Sequence, residues 1–311
     1  MFRPQPLNPA QLLGRTYQYI VFAGGGNRCW WQGGMVQALR AHACWAPERF
    51  VGTSAGASIA TAVATGHLQH SLRTGVAYFD TIARNVEWRA LLRGQRPFVL
   101  PKVYQTWVDS FLGEQDLARL NASALKIDVV VTRLIPRLPA LLSAGVALGL
   151  YATEKFWLKG IHGRLPHFFG LRAEHHELNA CEGLHDAHNL LLSSGCALPL
   201  MPLHYLQGRP ALDGGFHDSV PLPASREKDD RTLVLLTRHR PAWPQIFEYR
   251  RRVYLQPTRP VAAGTLDFTS GANIQSTFDQ GQQEGAALLA SGSCARSVAA
   301  GGHTPRRSPT P

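Results

Sequence analysis

Cysteine is scarce in this chain and its spacing is unhelpful for cross-linking. The five cysteines, Cys29, Cys44, Cys181, Cys196 and Cys294, are an odd number with no Cys-x-x-Cys among them. That speaks against a disulfide framework and for a reducing compartment. Acid is also short, with 21 Asp and Glu against 32 Lys and Arg and a formal net charge of +11. A surface this basic attracts polyanions, and nucleic acid and anionic lipid headgroups both qualify. Some of the excess, at Arg296, Arg306 and Arg307, falls in the last residues and says little about a folded surface. Long apolar runs are missing too. No segment reaches the roughly 18–20 uncharged apolar residues of a membrane span. The start, MFRPQPLNPAQLLGR, carries three prolines in nine residues and no apolar core of signal-peptide length, so a cytoplasmic start is expected. Thirteen histidines are scattered. The densest grouping, His175, His176, His185 and His188, has neither HExxH nor Cys/His ligand spacing, so no metal and no cofactor is expected.

What is present suits a folded core. With 45% hydrophobic and 17% charged residues, the 311-residue chain is too apolar and too weakly charged for disorder. The β-branched and aromatic run at 17–23 reads as a strand ending at a glycine cluster. A helix is expected over 31–43 despite two glycines, a short strand at 48–51, and a small-residue helix over 55–66 closed by Gly66. Strand, glycine turn, helix, repeated, opens a parallel α/β sheet. Helical spacing recurs at 105–120, 188–201 (broken near Pro199) and 273–290, and strands at 125–134, 231–239 and 251–257. Residues 1–15 read as an irregular arm, 16–290 as one domain, and 291–311, rich in Ser, Gly, Ala, Pro and Arg, as a disordered tail.

Three stretches carry chemistry. In RFVGTSAGASIA (49–60), Ser54 stands between Gly52 and Gly56 after an apolar run and before an alanine-rich helix. A nucleophile on a sharp strand-to-helix turn needs small neighbours two residues either side, because the backbone folds back on itself there. The helix N-terminus beside it favours developing negative charge. A serine that merely caps a helix would produce much the same string. In AGGGNRCWWQGG (23–34), Gly24, Gly25 and Gly26 can point several N–H groups at one anion. That anion is either a phosphate or the oxyanion of an acyl intermediate. The Gly-Lys-Ser/Thr of a phosphate loop is absent, and Trp30 and Trp31 crowd a dinucleotide fingerprint. In ALDGGFHDSVP (211–221), Asp213 precedes two glycines, which alone would be a turn. An α/β-hydrolase is disfavoured, since only one or two strands precede Ser54 and only His217, His239 and His303 follow Asp213.

Taken in order, Gly24-Gly25-Gly26-Asn27-Arg28, Gly52-Thr53-Ser54-Ala55-Gly56 and Asp213-Gly214-Gly215 resemble the motifs of the patatin-like phospholipase family. LSSGCALPLMP (192–202) is similar to the family's small-residue helix leading to a proline. The likeness extends over roughly residues 17–285. It implies a three-layer α/β/α fold with a mainly parallel sheet, and hydrolysis of acyl esters by a serine–aspartate dyad. Ser54 would be the nucleophile, Asp213 its partner and the backbone of Gly24, Gly25 and Gly26 the oxyanion hole. The family usually has glycine after the basic residue of the first motif, where this chain has Cys29. Arg28 would either pair with a structural group or help hold a substrate phosphate. His217 and Asp218 would serve the structure of their loop.

A free aspartate, with a pKa near 3.9, is a poor base for a serine hydroxyl. Burial would raise that pKa and make Asp213 a better proton acceptor. The uncharged segment 138–153, flanked by Arg133, Arg137, Lys155, Lys159 and Arg164, reads either as a helix buried beneath a cap or as a surface segment that dips into a bilayer. The expectation is a cytoplasmic acyl hydrolase of phospholipid or lysophospholipid type, in peripheral contact with the inner membrane surface. An acyltransferase or a neutral-ester hydrolase would use the same dyad. A non-enzymatic nucleic-acid binder would explain the charge, but no compact basic helix, zinc motif or stacking-aromatic repeat supports it.

Overall fold

A computed structural model describes residues 3–158 and 160–300 of the chain. Its strands are β1 (Gln5–Pro6), β2 (Tyr17–Phe22), β3 (Trp45–Thr53), β4 (Lys126–Arg133), β5 (Arg172–Glu177), β6 (His204–Leu206), β7 (Arg209–Asp213), β8 (Thr232–Leu235), β9 (Ile246–Tyr249) and β10 (Arg252–Leu255). The helices are α1 (Pro9–Leu13), α2 (Trp30–Leu39), α3 (Ala55–Ala64), α4 (Leu68–Phe79), α5 (Leu100–Asp109), α6 (Glu114–Asn121), α7 (Ala140–Thr153), α8 (Leu165–Phe168), α9 (Leu184–Ser194) and α10 (Gly271–Ala300).

All the strands join one sheet in the order β1-β9-β10-β8-β2-β3-β4-β7-β6, with β5 also on β4. The centre, β10-β8-β2-β3-β4, is parallel throughout. The outer strands β1, β9, β5, β7 and β6 pair antiparallel. This is a mixed sheet with mostly parallel central strands flanked by helices, as the expected α/β/α fold requires.

Alternation along the central strands builds two unequal cores. Ile20, Phe22, Phe50, Val129, Val131, Leu233 and Leu235 face the larger one, shared with α2, α3, α4, α9 and α10. The residues between them, Val21, Val51, Val130 and Val234, face a smaller cluster with Phe247 and Tyr254, joined by Ile161, Val220 and Trp243 from connecting segments. Fully buried on both faces, these strands read as continuous apolar runs, which is why they were legible. The glycines inside α2 have a packing reason. A side chain at Gly34 would sit 1.9 Å from the Phe278 carbonyl oxygen, and one at Gly281 would sit 2.1 Å from that of Trp31. The glycines let α2 and α10 cross backbone to backbone.

The pairing around β4 places the site. A strand has two hydrogen-bonding edges. One edge of β4 is taken by β5 over residues 128–133. Along the other, β3 pairs with residues 126–130 and β7 with residues 131–133. Strands β3 and β7 therefore run toward each other along a single edge and meet nearly end to end. Ser54 follows the last residue of β3, and Asp213 is the last residue of β7.

Several expectations are corrected. Within the expected irregular arm, residues 3–15 are ordered into a strand and a helix. Gln5 and Pro6 pair with β9, and Asn8 caps α1 with Gln11 in a reciprocal box that seats Leu12 and Leu13 in the core. The run 105–120 is two helices, α5 and α6, separated at Gly113. Strand β3 is longer than 48–51, and the helix expected from 188 starts at Leu184 and ends before Gly195. Helix α10 continues through Ala300, so a tail boundary at 290 does not hold, while 301–311 lie outside the described residues.

Candidate active site

Ser54 sits at the turn between β3 and α3 with φ 54° and ψ −140°. Left-handed backbone at a residue bearing a side chain is strained and persists only where its surroundings enforce it. Here they do. A side chain at Gly56 would lie 2.5 Å from the Phe22 carbonyl oxygen and 2.7 Å from that of Ala23, and one at Gly52 would lie 2.6 Å from the Ala57 Cα. Both positions are closed to anything but glycine, so the spacing read as Gly-x-Ser-x-Gly is a consequence of backbone contact. The Ser54 N–H donates to Ser194 Oγ at 2.9 Å, and that hydroxyl donates to the Val130 carbonyl at 2.7 Å. Ser194, at the end of α9, thereby ties the turn to β4.

The Ser54 hydroxyl donates to Asp213 Oδ2 at 2.6 Å, across 159 residues of sequence. The other carboxylate oxygen, Oδ1, accepts the Gly215 N–H at 2.7 Å. Asp213 itself is anchored through its carbonyl, which accepts from Thr132 Oγ1 at 2.9 Å, and through its N–H, which donates to the Cys196 carbonyl at 3.0 Å. Loss of water raises its carboxyl pKa to about 6, and the bonds from Ser54 and Gly215 oppose that rise. Neither Ser54 Oγ nor the Asp213 carboxylate is bonded to a histidine among the described residues. Asp218 instead pairs with His162 Nδ1 at 2.9 Å and accepts the Val220 N–H, so it secures its loop as expected.

Both side chains open into a cavity of about 380 Å³ with a mostly apolar wall. The glycine cluster borders it, but its three amides are not equivalent. The Gly24 N–H donates to the Ser219 carbonyl at 2.7 Å and is already taken, which corrects the expectation of three free donors. The amides of Gly25, Gly26 and Ala55 border the cavity and donate to no protein acceptor among the described residues. Gly26 holds φ 57°, and a side chain there would strike the Thr265 carbonyl oxygen at 1.9 Å. Among the described residues no group of three His, Cys, Asp or Glu is arranged to hold a metal ion.

A family model described as patatin-like phospholipase matches residues 20–225. The chain belongs to the patatin-like phospholipase family. The family is one of lipid acyl hydrolases. Among solved structures, this patatin-like chain is similar to VipD from Legionella pneumophila, at 12% identity and a TM-score of 0.35, over 70% of this chain and 49% of that one. It spans about half the length of that protein. No curated protein matches it.

The departure from the family pattern at Cys29 leaves the cavity untouched. Its thiol is buried in the larger core, donates to the Ala23 carbonyl at 3.4 Å, and has its pKa pushed up by burial. Arg28 donates from Nε to the Gly25 carbonyl at 3.3 Å and forms no ion pair among the described residues. Two groups escaped the sequence. Ser194 was inside a quoted motif, but nothing in that motif says which serine reaches the turn. Arg238 and Arg240 also border the cavity. Their signal was present, since they follow β8, whose end lies beside that of β2 and its glycine cluster.

Proposed function

We propose that this chain is a lipid acyl hydrolase in which Ser54 attacks the ester and Asp213 moves the protons. The observation that carries this reading is the 2.6 Å bond from Ser54 to Asp213 at an apolar cavity bordered by unengaged amides. Asp213, with a pKa of about 6, is ionised at neutral pH yet more basic than a solvated carboxylate. It takes the hydroxyl proton as Ser54 Oγ bonds to the carbonyl carbon. The amides of Gly25, Gly26 and Ala55 receive the negative oxygen, each well-aimed donor contributing about 3 kcal/mol. Collapse breaks the ester C–O bond, the leaving alcohol takes the proton from Asp213, and an acyl-Ser54 ester remains. Water, giving its proton to Asp213, attacks that ester. The fatty acid leaves and the proton returns to Ser54. An alcohol in place of water would make the same site an acyltransferase.

The substrate we favour is a phospholipid or lysophospholipid met at a membrane surface. Helix α7 supports that choice. It buries its small residues Ser143, Ala144 and Ala147 and turns Leu141 and Leu142 outward, 77% and 61% exposed. The alternative of a helix buried beneath a cap does not fit those exposures. Phe156 and Trp157 continue the exposed apolar surface, while Leu148, Tyr151 and Lys155 of the same segment border the cavity. A lipid could pass from a bilayer touching this segment into the site without crossing water. No helix among the described residues is long and apolar enough to cross a membrane.

A fluorophosphonate probe tests the nucleophile before any substrate is known. Mapping of the modified residue is expected to return Ser54. Ser54→Ala and Asp213→Asn are each expected to lower esterase kcat/KM by about a thousandfold or more. Labelling elsewhere, or full activity in either variant, would end this reading.

A further inference from the structure

Four cations border the cavity without an acidic partner. Arg28, Lys155, Arg238 and Arg240 all line it, and none forms a salt bridge among the described residues. The carboxylates on the same wall are committed elsewhere. Glu154 accepts the amides of Arg164 and Leu165, Asp213 holds Ser54 and Gly215, and Asp218 holds His162 and Val220. Two of the cations rest on aromatic faces instead. Lys155 lies 5.2 Å from the Tyr151 ring centre, and Arg240 lies 5.5 Å from that of Trp243. Each of Arg28, Lys155 and Arg240 has its pKa lowered, first by burial and then by the positive charges of its neighbours. Like charges gathered where water is scarce repel one another, and a multiply charged anion among them would relieve that repulsion.

Resting on the serine hydrolase reading above, we infer that these four side chains form a headgroup-phosphate subsite, and that it directs the enzyme to glycerolipids with a net-negative headgroup, phosphomonoesters first. Arg28 joins the two ends of the site. Its Nε is fixed to the Gly25 carbonyl, beside the amides that would receive the ester oxygen, which leaves its terminal nitrogens for a ligand. In a glycerophospholipid only a few single bonds separate an acyl carbonyl from the phosphorus. A phosphomonoester carries about −1.5 to −2 charge at pH 7. A choline headgroup would bring a fixed positive charge among four others and be repelled.

The test compares dioleoyl phosphatidate with dioleoyl phosphatidylcholine in Triton X-100 mixed micelles. Wild type is expected to favour phosphatidate in kcat/KM, and Arg238→Gln/Arg240→Gln to reduce that ratio about tenfold or more. The charge-conserving pair Arg238→Lys/Arg240→Lys is expected to retain most of it, which separates lost charge from lost folding. Binding to Ser54→Ala protein needs no turnover, so it reports on the subsite even if the hydrolase reading fails. That protein is expected to bind phosphatidate micelles more tightly than phosphatidylcholine micelles, with the difference removed by Arg238→Gln/Arg240→Gln. A wild type indifferent to headgroup, or equal losses in the Gln and Lys pairs, would overturn the inference. Inorganic phosphate binding as tightly as phosphatidate would overturn the assignment to a lipid headgroup.

Discussion

At Asp213 the proposed activity and the stability both turn on one desolvated carboxyl group. Its pKa rises from 3.8 to about 6 on folding. As the proposed proton acceptor it must be ionised, so kcat/KM is expected to fall on the acid side with an apparent pKa of about 6, as a pH–rate profile will record. Stability moves the other way. Between about pH 4 and pH 6 the folded protein keeps a proton that the unfolded chain has released, so stability drops as pH rises through that window. Above it the whole cost, about 3 kcal/mol, applies. Asp213→Asn removes the charge and is expected to raise Tm by a few degrees at pH 8, a gain that shrinks to nothing near pH 4. Equal Tm differences at both pH values would show that the carboxyl is not desolvated as the structure has it. Ser54, strained at φ 54°, belongs with it as a residue whose local cost is met by its surroundings.

The element that decides the site is the β3–α3 junction. Gly56 lets the start of α3 rest on the carbonyls of Phe22 and Ala23 at the end of β2. Those carbonyls belong to a central strand and cannot give way. Gly56→Ala is expected to lower stability by about 1–3 kcal/mol or more, readable as a lower denaturant midpoint, and to cut esterase activity because the serine turn must shift. A midpoint and activity equal to wild type would show the turn to be more pliable than its contacts suggest. The junction was legible in the sequence because its demands are local, namely small residues at fixed offsets around a serine. Strand β5 was not legible. Its sequence, RAEHHE, has no apolar alternation, and Arg133, Glu174 and Arg209 are matched by ion pairs that only the fold assembles. Helix α7 was half legible. Leu, Ala, Gly and Val surround the helix so evenly that no face could be read, and the packed face took the small residues.

For the whole molecule, net charge and the exposed apolar segment make separable contributions to membrane contact. In a vesicle flotation assay the +11 chain is expected to bind phosphatidylserine-rich vesicles at 0.1 M salt and to lose much of that binding at 0.5 M, as screening shortens the reach of its surface charges. Leu141→Asp/Leu142→Asp changes exposed positions only and is expected to reduce recovery with vesicles at both salt concentrations. Recovery unaffected by salt would remove the electrostatic contribution, and recovery unaffected by the aspartates would remove α7 as the contact. The basic composition alone could not choose between nucleic acid and lipid. The placement of cations beside an apolar opening next to Ser54 supplies the reason to favour lipid.

By itself the sequence determined the alternation of strand and helix and the two glycine-bounded turns, because periodicity and small-residue spacing are short-range properties of a chain, while Ser54 and Asp213 were singled out as a pair only by the resemblance of three ordered motifs to the patatin-like family. Only the tertiary structure decided that β3 and β7 share one edge of β4, that the Gly24 amide is already engaged while those of Gly25 and Gly26 meet no protein acceptor among the described residues, and that Arg28, Lys155, Arg238 and Arg240 line one cavity. These depend on hydrogen bonds and close approaches between segments more than two hundred residues apart at the extreme, Arg28 with Arg240, and no local pattern encodes which partner a backbone group or a guanidinium will meet.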